Sequence, residues 1–313
     1  EATLRESDGS VTWMNVPPLD RANLTTLIEQ TLQLDDTLVD EIVERTEGTP
    51  MFAIQLLGEW VDQGLLEQGP SGFRLTDTSR ATIPDDLQQL WSRRLAALLD
   101  PLGVDARAAV ELAAALGKQV DPREWRACCD WLGLEVPDRL AERLIEAGLA
   151  DSTADGWAFV HNMFVESLQR EAARADRLCD YHWTIAQPLE ELYPGQLNQT
   201  ARRRGEHFRR AGEPRAALEP LRRAGLRLKI IGETGELLEL LDRRDGLIDE
   251  LGLGPEDRRR LQSDILRASA YNRLGRAGRA RALLDRAEPL ARGEAWHREL
   301  GNILLERARM RAD

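Results

Sequence analysis

Gly48, Thr49 and Pro50 form the stretch of this chain whose residue types could receive a charged or aromatic ligand. They lie within Arg45-Thr46-Glu47-Gly48-Thr49-Pro50-Met51-Phe52. Leu38, Val39, Ile42 and Val43 recur at helical spacing before the stretch, so Gly48 falls where a left-handed C-terminal cap is wanted. Thr49 can cap the next helix through its hydroxyl, and Pro50 suits the first helical position because its missing N–H would be unpaired there anyway. A helix start of this kind offers free N–H groups and a partial positive charge, and the flat face of Pro50 offers an apolar surface to an aromatic ring. Taken alone, the stretch also reads as no more than a tight helix-helix turn.

Other chemistry finds less support. A phosphate-cradling Walker A loop needs G-x-x-x-x-G-K-[ST] after a strand, and Gly117-Lys118-Gln119 lacks the first glycine and the hydroxyl. Four widely spaced histidines and no Cys-x-x-Cys leave metal chemistry without a ligand set. Cys128, Cys129 and Cys179 are odd in number, and two are neighbours, so they read as reduced core residues. There is no nucleophile-elbow motif. The expectation is that this chain is not an enzyme by itself.

The elements that would position these residues are mainly helical. A short strand over residues 11–16 ends at Pro17-Pro18 and reads as the last strand of a domain lying upstream. Asp20 caps a helix with Leu24, Leu27, Ile28 and Leu32 on one face. The helix after Pro50 is expected to bury Ile54, Leu57 and Val61, and residues 65–75 read as a small hairpin. Further helices begin near Ile83-Pro84, at Asp105, at Asp121-Pro122 and at Asp138, and the last is followed by strands flanking Asp155-Gly156. Helix, helix, helix, hairpin is the order of a winged helix. From about Asp176 onward helical hairpins follow. Gly212, Pro214, Ala217, Leu221 and Ala224 are matched at the same offsets by Gly275, Ala277, Ala280, Leu284 and Ala287, a pattern similar to the second half of a tetratricopeptide repeat with a degenerate unit between the two. A lone helix near Trp296 to Met310 predicts that the array continues beyond this piece.

Composition agrees with such an architecture. Of 313 residues, 42% are hydrophobic and 5% aromatic, enough for real cores built largely of Ala and Leu. The net charge of −12 hides an asymmetry, because residues 200–313 hold 26 Lys and Arg against 19 Asp and Glu, whereas residues 1–199 hold 16 against 35. Opposite signs would favour docking of one half on the other, or an acidic partner for the repeats, although solvated helix faces need no partner. No apolar run approaches the roughly 20 residues that cross a bilayer, and no leader begins the chain, so a cytoplasmic protein without membrane contact is expected.

The order of these motifs resembles the signal-transduction ATPases with numerous domains, a branch of the AAA+ ATPases. Gly48, Pro50 and Phe52 match the R-x-E-G-N-P-x-F signature of their helical lid, with Thr49 in place of Asn. Ile83 to Leu87 matches their I-P-x-x-L segment, and Phe159-Val160-His161-Asn162-Met163-Phe164-Val165-Glu166 resembles F-x-H-x-x-x-x-E at the end of their winged helix. The resemblance implies an upstream strand and linker at 1–18, a helical lid at 19–80, a winged helix at 81–175 and tetratricopeptide-like repeats at 176–313. It further implies that Gly48, Thr49 and Pro50 meet the adenine of ADP or ATP in the parent protein, that His161 touches a phosphate, and that no nucleotide is held strongly by this piece alone. An imidazole can donate a hydrogen bond to phosphate, although the same histidine could simply cap a helix. The implied function is regulatory: a protein or small-ligand partner bound at the repeats is relayed through the upstream ATPase core to an effector, which in this family is a serine/threonine kinase, a transcription activator or a cyclase.

Two other readings belong to different classes. One is an independent helical-repeat adaptor that never binds nucleotide. The other is a winged-helix DNA-binding regulator, which charge disfavours: the third helix carries Asp138, Glu142 and Glu146 against Arg139 and Arg143, and groove binding depends on neutralising phosphates.

Overall fold

The computed structural model describes residues 17–62, 64–69, 72–75, 87–194 and 197–312. The strand expected over 11–16, residues 83–86 and residues 70–71 of the hairpin turn fall outside these. The chain is mainly α-helical and divides into two compact units after Ala97. No described helix is long and apolar enough to cross a membrane.

The first unit contains α1 (Arg21–Thr31), α2 (Asp36–Thr46), α3 (Pro50–Asp62) and an antiparallel hairpin of β1 (Leu66–Gln68) and β2 (Phe73–Leu75). Asp20 and Asp35 cap the first two helices by accepting the N–H groups of Asn23 and Leu38, each at 2.8 Å. Leu24, Ile28, Leu38, Val39, Ile42 and Val43 are buried, as their spacing predicts. In α3 the buried face is Ala53, Leu56, Leu57 and Trp60, whereas Ile54 and Val61, expected inside, are 38% and 55% exposed. The aromatic Phe52 and Trp60 are both buried and turn that face of the helix inward.

The second unit begins within α4 (Leu87–Leu99). Next come α5 (Val104–Leu116), β3 (Gln119–Val120), α6 (Pro122–Leu132), α7 (Leu140–Glu146), β4 (Ala150–Thr153) and β5 (Gly156–Phe159). The strands pair antiparallel in the order β3, β5, β4, which completes a winged helix. α5 is buried on nearly every side, since Ala106, Ala109, Ala113 and Ala114 let neighbouring helices come close. Trp125, Trp157, Phe159 and Phe164 stack edge to face with successive centroid distances of 5.3, 5.0 and 5.7 Å, tying α6 and the wing to α8 (Asn162–Arg174).

Two expected local details differ. Asp138 does not cap α7; the capping position is Arg139, in the left-handed region at φ 60°. The wing's two-residue loop is Ala154-Asp155, and Gly156 is the first residue of β5. A glycine is needed there because a Cβ would lie 2.4 Å from the Val120 carbonyl oxygen.

The remaining helices are α9 (Leu178–Ala186), α10 (Pro188–Leu192), α11 (Leu197–Arg210), α12 (Pro214–Ile231), α13 (Thr234–Glu250), α14 (Arg258–Arg273), α15 (Ala277–Gly293) and α16 (His297–Ala312). Consecutive helices from α11 onward pack as hairpins. α12 also touches α14, and α14 touches α16, so these three form one layer and α13 and α15 the other. Gly212 and Gly275, at φ 76° and 69°, end the preceding helices, and the Ala, Leu and Ala that follow each of them are all buried. Yet only two helices separate α12 from α15, which places the matched segments in opposite layers. The shared pattern therefore marks a way of starting a helix after a glycine cap and of packing it through small residues, and both layers use it.

Candidate functional site

The turn between α2 and α3 is built by two left-handed residues in succession, Glu47 at φ 46° and Gly48 at φ 76°. Gly48 is buried where residues 18–19 cross it: its carbonyl accepts the Leu19 N–H at 2.9 Å, and a Cβ on it would lie 2.3 Å from the Leu19 carbonyl oxygen. The carbonyl of Thr49 accepts the N–H groups of Phe52 and Ala53 at 3.1 and 3.3 Å, which opens α3. Thr49 and Pro50 are exposed. Gly48 thus has a structural duty in fastening the turn, and Pro50 presents its ring at an exposed helix start, a surface suited to a planar apolar ligand.

His161 belongs to the second unit and is described within it. It precedes α8, a helix of 13 residues, in extended conformation, and its carbonyl accepts the Phe164 and Val165 N–H groups at 3.2 and 3.4 Å. The ring is half-buried. Burial, with the charge of Lys118 beside it, lowers its pKa below the usual histidine value, against a smaller opposing pull from Asp151. Its imidazole is therefore neutral at pH 7. Lys118, exposed, is brought to this end of the domain by β3, which follows it directly; its carbonyl accepts the Phe159 N–H at 2.9 Å. The start of α8, a neutral imidazole and an ammonium group in one neighbourhood suit a phosphate. Sequence reasoning passed over Lys118 because it sought a Walker loop, and a two-residue strand leaves no periodicity to detect.

The winged helix is fastened to the helices after it by two clusters of the same composition. Glu111 of α5, fully buried, accepts two hydrogen bonds from Arg177 at 3.0 and 2.8 Å and one from the Tyr181 hydroxyl at 3.0 Å. Glu124 of α6, 5% exposed, accepts two from Arg203 at 2.8 and 2.5 Å and one from Tyr193 at 2.8 Å. Burial raises both phenols, Tyr193 to about 12, and the hydrogen bond to a carboxylate adds to the shift, so both remain donors at neutral pH. Part of the charge asymmetry is used at Glu124, which Arg203 reaches from beyond residue 200, whereas Glu111 and Arg177 both lie in the acidic half.

A third contact joins α9 to α11. His182 and His207, 3% and 8% exposed, face each other with their Nδ1 atoms 3.1 Å apart. Burial pushes their pKa values down, to about 4 and about 3; the charges of Arg210 and Arg209 add to the shift of His182, and those of His182, Arg203 and Arg210 to the shift of His207. Both rings are neutral, one donating and the other accepting. Further along, the Arg244 side chain is buried between α12 and α14, donating to the Leu218 carbonyl at 3.0 Å and to the Arg259 carbonyl and Ser263 hydroxyl at 2.6 Å each. Its hydrogen bonds run to neutral oxygens, and burial lowers its pKa to about 10.

The helix proposed for DNA reading, α7, exposes Glu142, Arg143 and Glu146, and Glu146 is paired at 3.6 Å with the exposed Arg139 at the capping position. It carries no excess of cations.

No family model matches the chain, and no curated protein matches it. Among solved structures it is similar to a signal transduction ATPase with numerous domains that has a tetratricopeptide repeat sensor, from Pyrococcus horikoshii, at 13% identity and a TM-score of 0.34. The likeness covers 97% of this chain and 46% of that one, so the chain spans about half the length of that protein. At that TM-score the superposition carries no argument, and the architecture rests on the elements described above.

Proposed function

We propose that this chain is the lid, winged helix and repeat sensor of a multidomain signalling ATPase, and that it relays a protein or small ligand bound at the repeats to the nucleotide state of an upstream core. The carrying observation is the double fastening of Glu111 to Arg177 and of Glu124 to Arg203, which makes the winged helix and the first repeat helices one mechanical piece. A partner that shifts those helices must also shift the end of the winged helix where Lys118 and His161 stand. On this reading His161 and Lys118 would meet a phosphate and Pro50 an adenine ring. The chain itself supplies contacts rather than catalysis, and the effector is a kinase, a transcription activator or a cyclase.

The test uses the full-length parent. His161→Ala and Lys118→Ala should each weaken ADP binding by roughly ten- to a hundredfold, the worth of one hydrogen bond to a charged group, and raise basal output. Because a bound phosphate would raise the lowered pKa of His161, ADP affinity should increase as pH falls toward that value, and His161→Ala should flatten the increase. Unchanged affinity and output in folded His161→Ala protein would refute the nucleotide contact and favour a helical-repeat adaptor.

A further inference from the structure

Charge is divided between the two layers of the repeats. α12, α14 and α16 carry 14 Arg and Lys against 4 Asp and Glu, whereas α13 and α15 carry 6 against 8. The basic layer is the concave one, since Lys229 of α12 reaches past α14 to Glu306 of α16, 2.6 Å away. Arg260, Arg267 and Arg307 turn the other way, to carboxylates of α13 and α15. Arg215, Arg273 and Arg298 are exposed and have no ion-pair partner among the described residues.

A cavity of about 260 Å³ opens on this face between the three helices. Leu226, Ile265 and Leu266 supply its apolar wall, and Arg222, Lys229, Arg258 and Arg298 stand round it against Glu219 and Glu299. Glu299 is 3% exposed and fixes Arg258 and Gln262 at 2.9 Å each. The volume suits one aliphatic side chain rather than a drug-sized ligand. Cations extend beyond it along the same helical stripes, for Arg215 lies seven residues before Arg222 and Arg273 seven after Leu266, about two turns in each case. An extended acidic chain meets all of these, and a lone small anion does not. A nucleic acid would find no open aromatic platform here, because Trp296 and Tyr271 lie under Arg258 and Arg279.

We propose that the concave face of α12, α14 and α16 docks an acidic segment of a partner protein, with one aliphatic side chain of that segment seated in the cavity. The inference rests on the reading of the repeats as a sensor and names the chemistry of what they sense.

The probe is a short capped peptide of glutamate and aspartate with leucine at its centre. Its comparators are the same peptide with central alanine, the same peptide with every acid replaced by its amide, and single-stranded oligodeoxythymidine. Calorimetric titration of the whole chain at low ionic strength should show saturable binding of the acidic peptide that weakens as salt rises. Central alanine should lower affinity about three- to thirtyfold. Arg298→Glu should lower it about five- to tenfold, and Arg281→Glu, the same charge change at an exposed position of α15, by less than about twofold. Asn302→Trp puts an indole at the cavity and should abolish the advantage of leucine over alanine. The proposal is overturned if the acidic peptide does not bind saturably, if the amide or alanine peptide binds as tightly, or if the two charge reversals act alike. Tighter binding of oligodeoxythymidine would overturn it in favour of nucleic acid. Should Arg298→Glu not fold, Arg273→Glu takes its place. Binding by this chain alone tests the docking face, and the parent's ADP affinity with and without bound peptide tests the sensor reading, so the two can fail apart.

Discussion

Arg203 and Glu124, 79 positions apart in the chain, are joined by two hydrogen bonds across the junction of the winged helix and the first repeat helices. Their burial is unequal: the arginine side chain is 46% exposed and the glutamate 7%. Arg203→Ala would strand a buried carboxylate with only Tyr193 to serve it, and should destabilise the second unit by about 2 to 3 kcal/mol. Glu124→Gln leaves an arginine that can turn to water, and should cost about 1 kcal/mol. Denaturant unfolding of the two variants checks this order, and a larger loss for Glu124→Gln would show that the junction depends on the arginine's charge instead.

Gly48 combines a positive φ with a backbone crossing. Gly48→Ala places a methyl group in a left-handed position, at about 1 to 2 kcal/mol, and also drives Cβ against the Leu19 carbonyl, so the total should exceed about 2 kcal/mol. Thr49→Asn and Pro50→Ala, at exposed positions, should change stability little. Thermal unfolding of the first unit measures all three, and a neutral Gly48→Ala would mean that residues 18–19 do not press on the turn in solution.

The paired histidines make a pH prediction. Their folded pKa values, about 4 and about 3, lie below the unfolded value of 6.5, so the unfolded chain takes up protons first as the solution is acidified. Stability from this site is fully present above pH 6.5 and is lost progressively from there down to about pH 3, by an amount on the order of a few kcal/mol. His207→Leu removes one titrating ring and should flatten the pH dependence of unfolding between pH 6.5 and 4, whatever it does at neutral pH. An unaltered slope in that window would show that other groups govern the acid sensitivity.

Much of the architecture is local in origin and so could be read directly from the residues. Asp20, Asp121-Pro122, Gly212 and Gly275 begin or end helices because capping and left-handed backbone are properties of single residues and their neighbours. The burial of Ala217, Leu221, Ala280 and Leu284 follows from helical period. Features that need two distant segments were decided by tertiary structure alone. A strand as short as Gln119-Val120 exists only because β5 supplies its partner, and with it comes Lys118 beside His161. Gly156 is a glycine because of Val120, and Glu111 and Glu124 are tolerated inside because Arg177 and Arg203 arrive from helices more than 60 residues away. The phase of the repeats belongs to the same class. Gly212 and Gly275 begin chemically alike helices, but which layer each helix joins depends on how many helices the intervening chain folds into, and that is settled by packing between elements rather than by either segment's own pattern.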